Sequence, residues 1–264
     1  MGKILCIGVG AMGGAVVRGA LGQGIWKTDD LLLVVHSQEH AQALSQEFGI
    51  PVYTSIPDLS QVGTVLLGVK PQVLPDVLPE LTGLAPETPV ISMAAGIPLA
   101  TLEGALPQAA WYRVMPNTPA SVGKGLTAIA LGSKATQEGQ AQVEALFNAV
   151  GDALVVSEAD LDRIGALAGS GPGYLMVVLD ALADAGVRIG LKRDVAIRVA
   201  KQTLYGSGAW AVASDTHPAV LRDQVTSPGG TTIAGIAAME KGGLRSAIQD
   251  GVVAAMERTK ELGS

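Results

Sequence analysis

Several residue types are scarce in this chain of 264 residues, and each scarcity excludes a class of function. The one cysteine, Cys6, permits no intrachain disulfide and no cysteine metal cluster, and the three histidines are too scattered to suggest a metal site. Aromatic residues make up 3%, which leaves few platforms for stacking nucleic-acid bases. Charged residues make up 16% with a net charge of -6, so a basic surface for nucleic acid or anionic lipid is missing. We therefore expect no metal, no nucleic-acid partner and no membrane partner.

Long uncharged apolar runs are also missing. The most apolar helical stretch, Tyr174 to Ile189, contains Asp180, Asp184 and Arg188, which we interpret as excluding a membrane span on length and charge. The chain enters a strand-like run at Lys3, so we expect no signal peptide and a cytoplasmic location.

Over residues 1–157, short aliphatic runs alternate with helical segments, which is typical of a mostly parallel sheet covered by helices. The predicted strands are Lys3 to Ile7, Leu31 to His36, Val52 to Thr54, Thr64 to Val69, Val90 to Ala94, Trp111 to Val114, Leu126 to Ala130 and Ala153 to Val156. The last strands are expected as antiparallel additions at the edge. Met12 to Leu21 and Gln38 to Phe48 are predicted helices, the second ending at Gly49. The fold class is α/β, with an N-terminal Rossmann-type doubly wound sheet.

After about residue 157 the strand pattern disappears, and helical periodicity continues over residues 158–264. One face of a predicted helix carries Leu175, Val178, Leu179, Leu182, Gly186 and Ile189. Ser170 is expected to cap this helix at Pro172, Tyr174 to lie in the core, and Asp184 to pair with Arg188. We predict a second, all-helical domain, part of whose apolar surface closes a homodimer.

A glycine-rich turn follows the first predicted strand and opens the first helix. In Gly8-Val-Gly10-Ala11-Met12-Gly13, the first glycine makes the turn, the second lets a pyrophosphate approach the backbone, and the third lets helix and strand pack closely. The bare pattern also occurs in ordinary loops. Its place between the first strand and the first helix favours a dinucleotide over a purely structural turn.

The second predicted strand ends without the acidic residue that binds the ribose of NAD. It ends in His36 and Ser37, and the first acid is Glu39. Both side chains can donate hydrogen bonds to a 2'-phosphate, which favours NADPH. The alternative is that they only end the strand and cap the next helix. Because no arginine lies in this loop, NADH stays possible.

Other strand ends point to the same crevice, since ligands of an open α/β sheet lie outside its carboxyl ends. Lys70 is interpreted either as a contact to the nicotinamide ribose or as a solvated lysine, and Asn117 either as a residue near the nicotinamide or as a strand terminator. The predicted cofactor-binding residues are Gly8, Gly10, Ala11, Met12, Gly13, His36, Ser37, Val69, Lys70, Pro71, Ala94, Gly96 and Asn117.

Near the C-terminus, hydroxyl and small residues surround Ser227-Pro228-Gly229-Gly230, at an expected helix start. Exposed N–H groups at such a start suit a carboxylate. A plain capped turn is the alternative, because serine, proline, glycine and threonine are ordinary there.

Six segments taken together resemble the pyrroline-5-carboxylate reductases, over essentially the whole chain. They are Gly8 to Gly13, Val69-Lys-Pro-Gln72, Ser92-Met-Ala-Ala-Gly-Ile97, Arg113-Val-Met-Pro-Asn-Thr-Pro119, Gly169-Ser-Gly-Pro172 and Asp223-Gln-Val-Thr-Ser-Pro-Gly-Gly-Thr-Thr-Ile-Ala-Gly235. One departure is Gly173, where the family more often has alanine.

This resemblance implies hydride transfer from a nicotinamide to the C=N bond of 1-pyrroline-5-carboxylate, giving L-proline. It implies that Ser227 and the backbone near Gly230 and Thr231 hold the substrate carboxylate, while the Thr232 hydroxyl meets the ring nitrogen as the catalytic group. Substrate sites of the family are built from both subunits of a dimer, so residues 158–264 are expected to bind substrate and to form a homodimer or a larger assembly of dimers.

Two alternatives remain on the sequence alone. A β-hydroxyacid dehydrogenase also combines an N-terminal GxGxMG turn with a helical domain, but the stretch from Gly173 to Asp180 lacks the lysine and asparagine of those enzymes. A protein that binds NADP without turnover would account for the absence of an obvious acid or base. Reduction of a protonated imine needs neither, because orientation and electrostatics supply most of the effect.

Overall fold

The computed structural model describes residues 2–263 and divides into two compact units. The first runs to Ser170 and includes the C-terminal residues from Ala255 onward, and the second is Gly171–Ala254. The first unit thus continues past residue 157, where the sequence pattern changes. The division into domains at that residue stays a prediction.

The first unit is an α/β layer built on an eight-stranded sheet with the strand order β3-β2-β1-β4-β5-β6-β7-β8. The strands are β1 Lys3–Ile7, β2 Leu31–Val34, β3 Val52–Tyr53, β4 Val62–Leu67, β5 Pro89–Ser92, β6 Ala110–Met115, β7 Gly125–Leu131 and β8 Gly151–Val155. Strands β1 to β6 are mutually parallel, β7 runs antiparallel to β6, and β8 runs parallel to β7. The predicted doubly wound sheet with reversed strands at one edge is confirmed.

Helices cover both faces of this sheet. They are α1 Ala11–Gly22, α2 Gln38–Phe48, α3 Leu74–Val77, α4 Leu99–Ala105, α5 Gln137–Asn148 and α6 Glu158–Ile164. Side chains of a strand alternate between the faces, so Ile4 and Cys6 of β1 enter one core while Leu5 and Ile7 enter the other. The core strands are therefore continuously apolar, because neither face meets water.

The second unit is helical. Its helices are α7 Gly171–Arg188, α8 Arg193–Val212, α9 Pro218–Gln224, α10 Thr231–Lys241 and most of α11 Leu244–Gly263. Helices α7 and α8 form a hairpin, closed at Gly190, whose φ is 103°. Gly186 on α7 allows the close approach, since a Cβ there would lie 2.9 Å from the Cβ of Ala196.

Three predictions about this part of the chain are wrong. Asp184 pairs with Arg193, which the turn at Gly190 brings back to α7, instead of with Arg188. Tyr174 is only partly buried, and its hydroxyl donates to the Gly251 carbonyl at 3.4 Å. Ser170 does not cap a helix start, because its own backbone is helical and its N–H donates to the Gly165 carbonyl at 3.3 Å across a wide π turn, Gly165–Gly169.

The chain from Glu158 to Arg188 is one helical run of 31 residues, mostly unburied in the single chain. By length and composition alone this run is apolar enough to cross a membrane, so those two criteria do not by themselves exclude a span. The helix was expected to begin only at Pro172, and its length was therefore underestimated. The second unit exposes many further large apolar side chains, among them Leu175, Met176, Val177, Ile189, Val199, Trp210, Val212, Met239 and Val253.

Candidate active site

The turn between β1 and α1 is shaped by two steric constraints. Gly8 has a φ of 86°, and a Cβ there would lie 2.6 Å from the Val69 nitrogen. A Cβ at Gly13 would lie 2.4 Å from the Gly8 carbonyl oxygen. Both contacts are with backbone atoms, which cannot move aside cheaply. A larger residue at Gly8 would therefore push the turn away from the segment after β4, and one at Gly13 would push α1 away from the turn.

Gly10 differs from these two glycines. A Cβ there would meet nothing within 4 Å, and the residue is exposed with a negative φ, so the fold alone does not require glycine. Gly10 precedes α1, whose first N–H groups, on Ala11, Met12 and Gly13, have no acceptor among the described residues. No acidic side chain lies in this first turn. The turn is therefore free to receive an anion directly on its backbone.

This turn lies where the strand order reverses, between β1 and β4. Crevices at such switch points are where open α/β sheets bind their ligands. The ends of β2, β4, β5 and β6 on the same edge carry the other predicted cofactor residues, so the structure brings them to one side of the sheet.

At the end of β2, His36 and Ser37 are both exposed. The Ser37 hydroxyl oxygen accepts a hydrogen bond from the His40 N–H at 3.1 Å, so Ser37 caps α2. Its hydroxyl proton remains available to a ligand. The His36 side chain makes no hydrogen bond within the described chain.

After β4 comes Gly68, where a Cβ would lie 2.3 Å from the Gly8 carbonyl oxygen. This glycine was not predicted from the sequence, although it stands directly before the Val69-Lys70-Pro71 segment. Lys70 is exposed and precedes a single 3-10 turn opened by Pro71. After β5, the loop of Met93–Ile97 turns at Gly96, whose φ is 76°.

Asn117, after β6, uses its side chain inside the protein. Its Oδ1 accepts from the Leu126 N–H at 2.9 Å, and its Nδ2 donates to the Ala168 carbonyl at 3.0 Å. Ala168 lies four residues before Pro172, which has no N–H to offer that carbonyl. These bonds favour the interpretation of Asn117 as a structural residue, although one amide proton remains free.

Arg113 of β6 is a residue whose part the sequence did not reveal. Its side chain is 2% exposed and pairs with Glu158 at 3.0 Å and with Asp162 at 2.6 Å. Both carboxylates lie on α6, at i and i+4, a spacing that puts them on one face. An arginine in the middle of an apolar strand was the available signal, since a buried cation needs carboxylate partners.

The Ser227–Thr232 turn lies in the second unit, at the start of α10. Gly229 has a φ of 67°, and the Gly230 N–H donates to the Ser227 carbonyl at 3.0 Å. A Cβ at Gly230 would lie 2.2 Å from the Ser227 hydroxyl oxygen. Gly230 thus leaves the space that this hydroxyl occupies over the helix start.

No side chain caps α10. The N–H groups of Thr231, Thr232 and Ile233 find no acceptor among the residues that the structure describes, and Thr231 and Thr232 are exposed. The arrangement offers one serine hydroxyl, two threonine hydroxyls and three N–H groups to a small anion. The alternative interpretation, a plain capped turn, predicts that a side chain accepts a hydrogen bond from one of these N–H groups, and no described side chain does so.

Two family models match the chain. Residues 158–262 match the pyrroline-5-carboxylate reductase dimerisation family, and residues 3–96 match the family described as NADP oxidoreductase coenzyme F420-dependent. The pyrroline-5-carboxylate reductase of Arabidopsis thaliana is 40% identical over 262 residues, which covers 98% of this chain and 95% of that protein. The chain belongs to the pyrroline-5-carboxylate reductase family.

Solved structures agree with this assignment. A pyrroline-5-carboxylate reductase from Coxiella burnetii superposes with a TM-score of 0.92 at 30% identity, covering 100% of this chain and 99% of that one. The pyrroline carboxylate reductase of Plasmodium falciparum, solved with NADP bound, gives a TM-score of 0.85 at 28% identity, with coverage of 100% and 98%.

The chain is therefore an oxidoreductase of proline biosynthesis that uses a nicotinamide cofactor to reduce the C=N bond of 1-pyrroline-5-carboxylate to L-proline. The hydroxyacid dehydrogenase and the non-catalytic NADP-binding protein are set aside. The match of residues 158–262 to a dimerisation family and the exposed apolar side chains of the second unit both indicate a homo-oligomer.

Proposed function

We propose that NADPH is the preferred cofactor and that its pyrophosphate lies on the backbone of Gly8–Gly13. The open space over Gly10 supports this placement, together with the N–H groups of α1 that have no protein acceptor. When bound, the cofactor supplies the hydride. In our proposal Ala11 and Met12 lie beside the phosphates, and Val69, Lys70, Pro71, Ala94 and Gly96 border the nicotinamide half, with Asn117 shaping that edge.

The preference for NADPH rests on the end of β2, where two exposed hydrogen-bonding side chains stand in place of an acid. We expect His36→Asp to shift the ratio of kcat/KM for NADPH over NADH by about tenfold towards NADH, because a carboxylate repels the 2'-phosphate. Gln42→Asp adds the same charge at an exposed position in the middle of α2 and serves as control. Absorbance near 340 nm follows both cofactors. An equal shift in both variants would contradict a local role for His36.

We propose that the Ser227–Thr232 turn holds the substrate carboxylate. The free N–H groups at the start of α10 and the Ser227 hydroxyl give it charge-assisted donors, and the turn adds no acidic side chain that would repel the anion. Thr232 follows within the same turn, and its hydroxyl is proposed to meet the ring nitrogen. A protonated imine is already a good hydride acceptor, so positioning supplies most of what the reaction needs.

Two variants separate these roles. Ser227→Ala removes a carboxylate donor and should raise the KM for the imine with little change in kcat. Thr232→Val keeps the side-chain shape, removes the hydroxyl, and should lower kcat by about tenfold or more. Steady-state kinetics of both variants with the cofactor saturating make the comparison. Wild-type kinetics for both would defeat this placement of the substrate.

We also propose that the oligomer is built from homodimers, that the enzyme works in the cytoplasm, and that residues 158–264 form the substrate-binding and dimerisation domain. The exposed apolar side chains of α7 and α8 support the dimer, since a monomer rarely leaves so many uncovered. Light scattering at micromolar concentration should give at least twice the chain mass of 26.8 kDa. A monomeric mass would remove the proposal.

A further inference from the structure

The loop after β5 is fixed at its start by ordinary sheet contacts. The Met93 N–H donates to the Leu67 carbonyl at 3.0 Å, and the Ala94 N–H donates to the buried Ser92 hydroxyl at 3.4 Å. Beyond Ala94, the exposed Ala95 and the positive-φ Gly96 form a turn with no further backbone bond to the sheet. The start of the loop is therefore fixed by hydrogen bonds to β4 and β5, and its far end has no hydrogen bond to the sheet backbone.

Besides the packing of Ile97 and Leu99 in the core, that far end has one polar anchor, a carboxylate from α6. The loop ends at Pro98, which has no N–H, and the first free donor of α4 is the Leu99 N–H. Oε1 of Glu158 accepts this N–H at 2.6 Å, and the same oxygen accepts from Nη1 of Arg113 at 3.0 Å. Glu158 thus joins the end of the loop to a buried cation on the neighbouring strand β6.

Asp162 makes an informative contrast with Glu158. It pairs with the same arginine, through Nη2 at 2.6 Å, and is similarly exposed at 32% against 35% for Glu158. It has no hydrogen bond to the loop or to α4. The two carboxylates therefore share the task of balancing Arg113, while only Glu158 orients the loop.

We propose that Glu158 is a positioning residue for the cofactor. By accepting the Leu99 N–H while paired with Arg113, it sets the height of the Ala94–Gly96 turn above the end of β5, where the nicotinamide half of the cofactor is placed. This inference rests on the proposed cofactor site. Removing the bond leaves the far end of the loop held by apolar packing alone, which is less directional, so the bound cofactor must restore the order of the turn and the affinity for cofactor falls.

Three variants at two positions test the proposal in the full-length enzyme. Glu158→Ala loses both bonds, Glu158→Gln keeps an oxygen for the Leu99 N–H but loses the charge, and Asp162→Asn loses charge only. We expect Glu158→Ala to raise the KM for NADPH about tenfold while leaving the KM for the imine unchanged. Glu158→Gln and Asp162→Asn should keep the cofactor KM within about twofold, although both lower the melting temperature.

The outcomes separate positioning from stability. An equal rise of the cofactor KM in Glu158→Ala and Asp162→Asn would overturn the proposal, because the effect would then follow the charge balance at Arg113. Failure of Glu158→Gln to restore the KM would overturn it too. If Glu158→Ala does not fold, the test uses the other two variants. Equal rises of the cofactor KM in Glu158→Gln and Asp162→Asn would then overturn the proposal, because the effect would follow the charge balance at Arg113.

A fourth variant distinguishes this inference from the cofactor placement itself. Gly96→Ala strains the loop directly, since its φ of 76° is unfavourable for alanine, and should raise the KM for NADPH. A raised KM in Gly96→Ala with an unchanged KM in Glu158→Ala would overturn the role of Glu158 alone. An unchanged KM in Gly96→Ala would overturn the cofactor placement, and the inference with it.

Discussion

Two glycine-rich helix starts, one before α1 and one before α10, are alike in sequence and differ in what makes them rigid. Before α1, Gly8 and Gly13 are required by backbone atoms less than 3 Å from any Cβ. Before α10, Gly230 is required by a side chain, the Ser227 hydroxyl. The first turn offers a ligand only backbone, whereas the second adds three hydroxyls.

This difference matches the proposed ligands. A pyrophosphate carries its charge on many oxygens and is served by bare N–H groups, so side chains near it would only obstruct. A carboxylate on a small ring must be held in one orientation for hydride transfer, and directional hydroxyl donors give that orientation. The turn before α1, which offers only backbone, is thus suited to binding a pyrophosphate tightly. The turn before α10, which adds hydroxyls, is suited to orienting a carboxylate.

The two helices also differ in burial. Helix α1 has six buried residues within its own unit: Gly13, Gly14, Ala15, Val16, Val17 and Ala20. None of the eleven residues of α10, all described, is buried in the chain by itself. The first helix start is therefore fixed by packing within its own unit, and the second belongs to the segment that matches the family's dimerisation region.

The largest expected effect breaks the first turn. Gly13→Ala puts a methyl group 2.4 Å from the Gly8 carbonyl oxygen, so helix or strand must shift, at a cost of about 3 kcal/mol in the free energy of unfolding. Gly22→Ala, at the end of the same helix with nothing within 4 Å, is the matched control and should be neutral or stabilising. Urea unfolding measures both, and equal stabilities would mean that close packing does not define this turn.

The next effect separates ligand binding from folding. Gly10→Ala meets no protein atom, so the free energy of unfolding should change by less than about 1 kcal/mol. Its methyl group would occupy the space given to the pyrophosphate, and we expect the KM for NADPH to rise at least about tenfold. Thermal unfolding without ligand and cofactor kinetics are measured on the same preparation. Unchanged cofactor kinetics would argue against phosphate binding here.

A smaller effect sharpens the second turn. Gly230→Ala would push the Ser227 hydroxyl aside instead of breaking the helix, because that oxygen can rotate away. The KM for the imine should rise by about as much as in Ser227→Ala. In the double variant the two changes should not add, since each removes the same donor. Additive increases would show that Gly230 acts through the backbone, as the glycines of the first turn do.

Residues near in sequence were predictable, and residues joined across the fold were not. All eight strands were predicted with ends within two residues, because apolar runs between turn signals are local. Gly8, Gly10 and Gly13 were interpretable for the same reason. The links from Arg113 to Glu158 and from Asn117 to Ala168 span 45 and 51 residues, and no local pattern encodes them. The π turn before Pro172 was missed because a proline after glycine and serine is typical of a helix start.

The smallest effect concerns the exposed ion pairs that tie each of these helices to the next, Arg18 to Glu47 for α1 and Glu240 to Arg245 for α10. The hydrogen bond from Arg18 holds the pKa of the Glu47 carboxyl below its ordinary value of 4.5. A lowered folded-state pKa stabilises the protein above the ordinary value, and this stability disappears as the pH falls through the lowered one.

Because both side chains of the α1 pair are largely exposed, Glu47→Gln should cost no more than about 1 kcal/mol near neutral pH. The difference in the free energy of unfolding between this variant and the unchanged chain should shrink in acid. Urea unfolding at a series of pH values measures this difference. Glu240→Gln should be equally mild. A loss of several kcal/mol at Glu47 alone would mean that α1 depends on charge as well as on the backbone packing at Gly8 and Gly13, and the contrast between the two helix starts would then need a second cause.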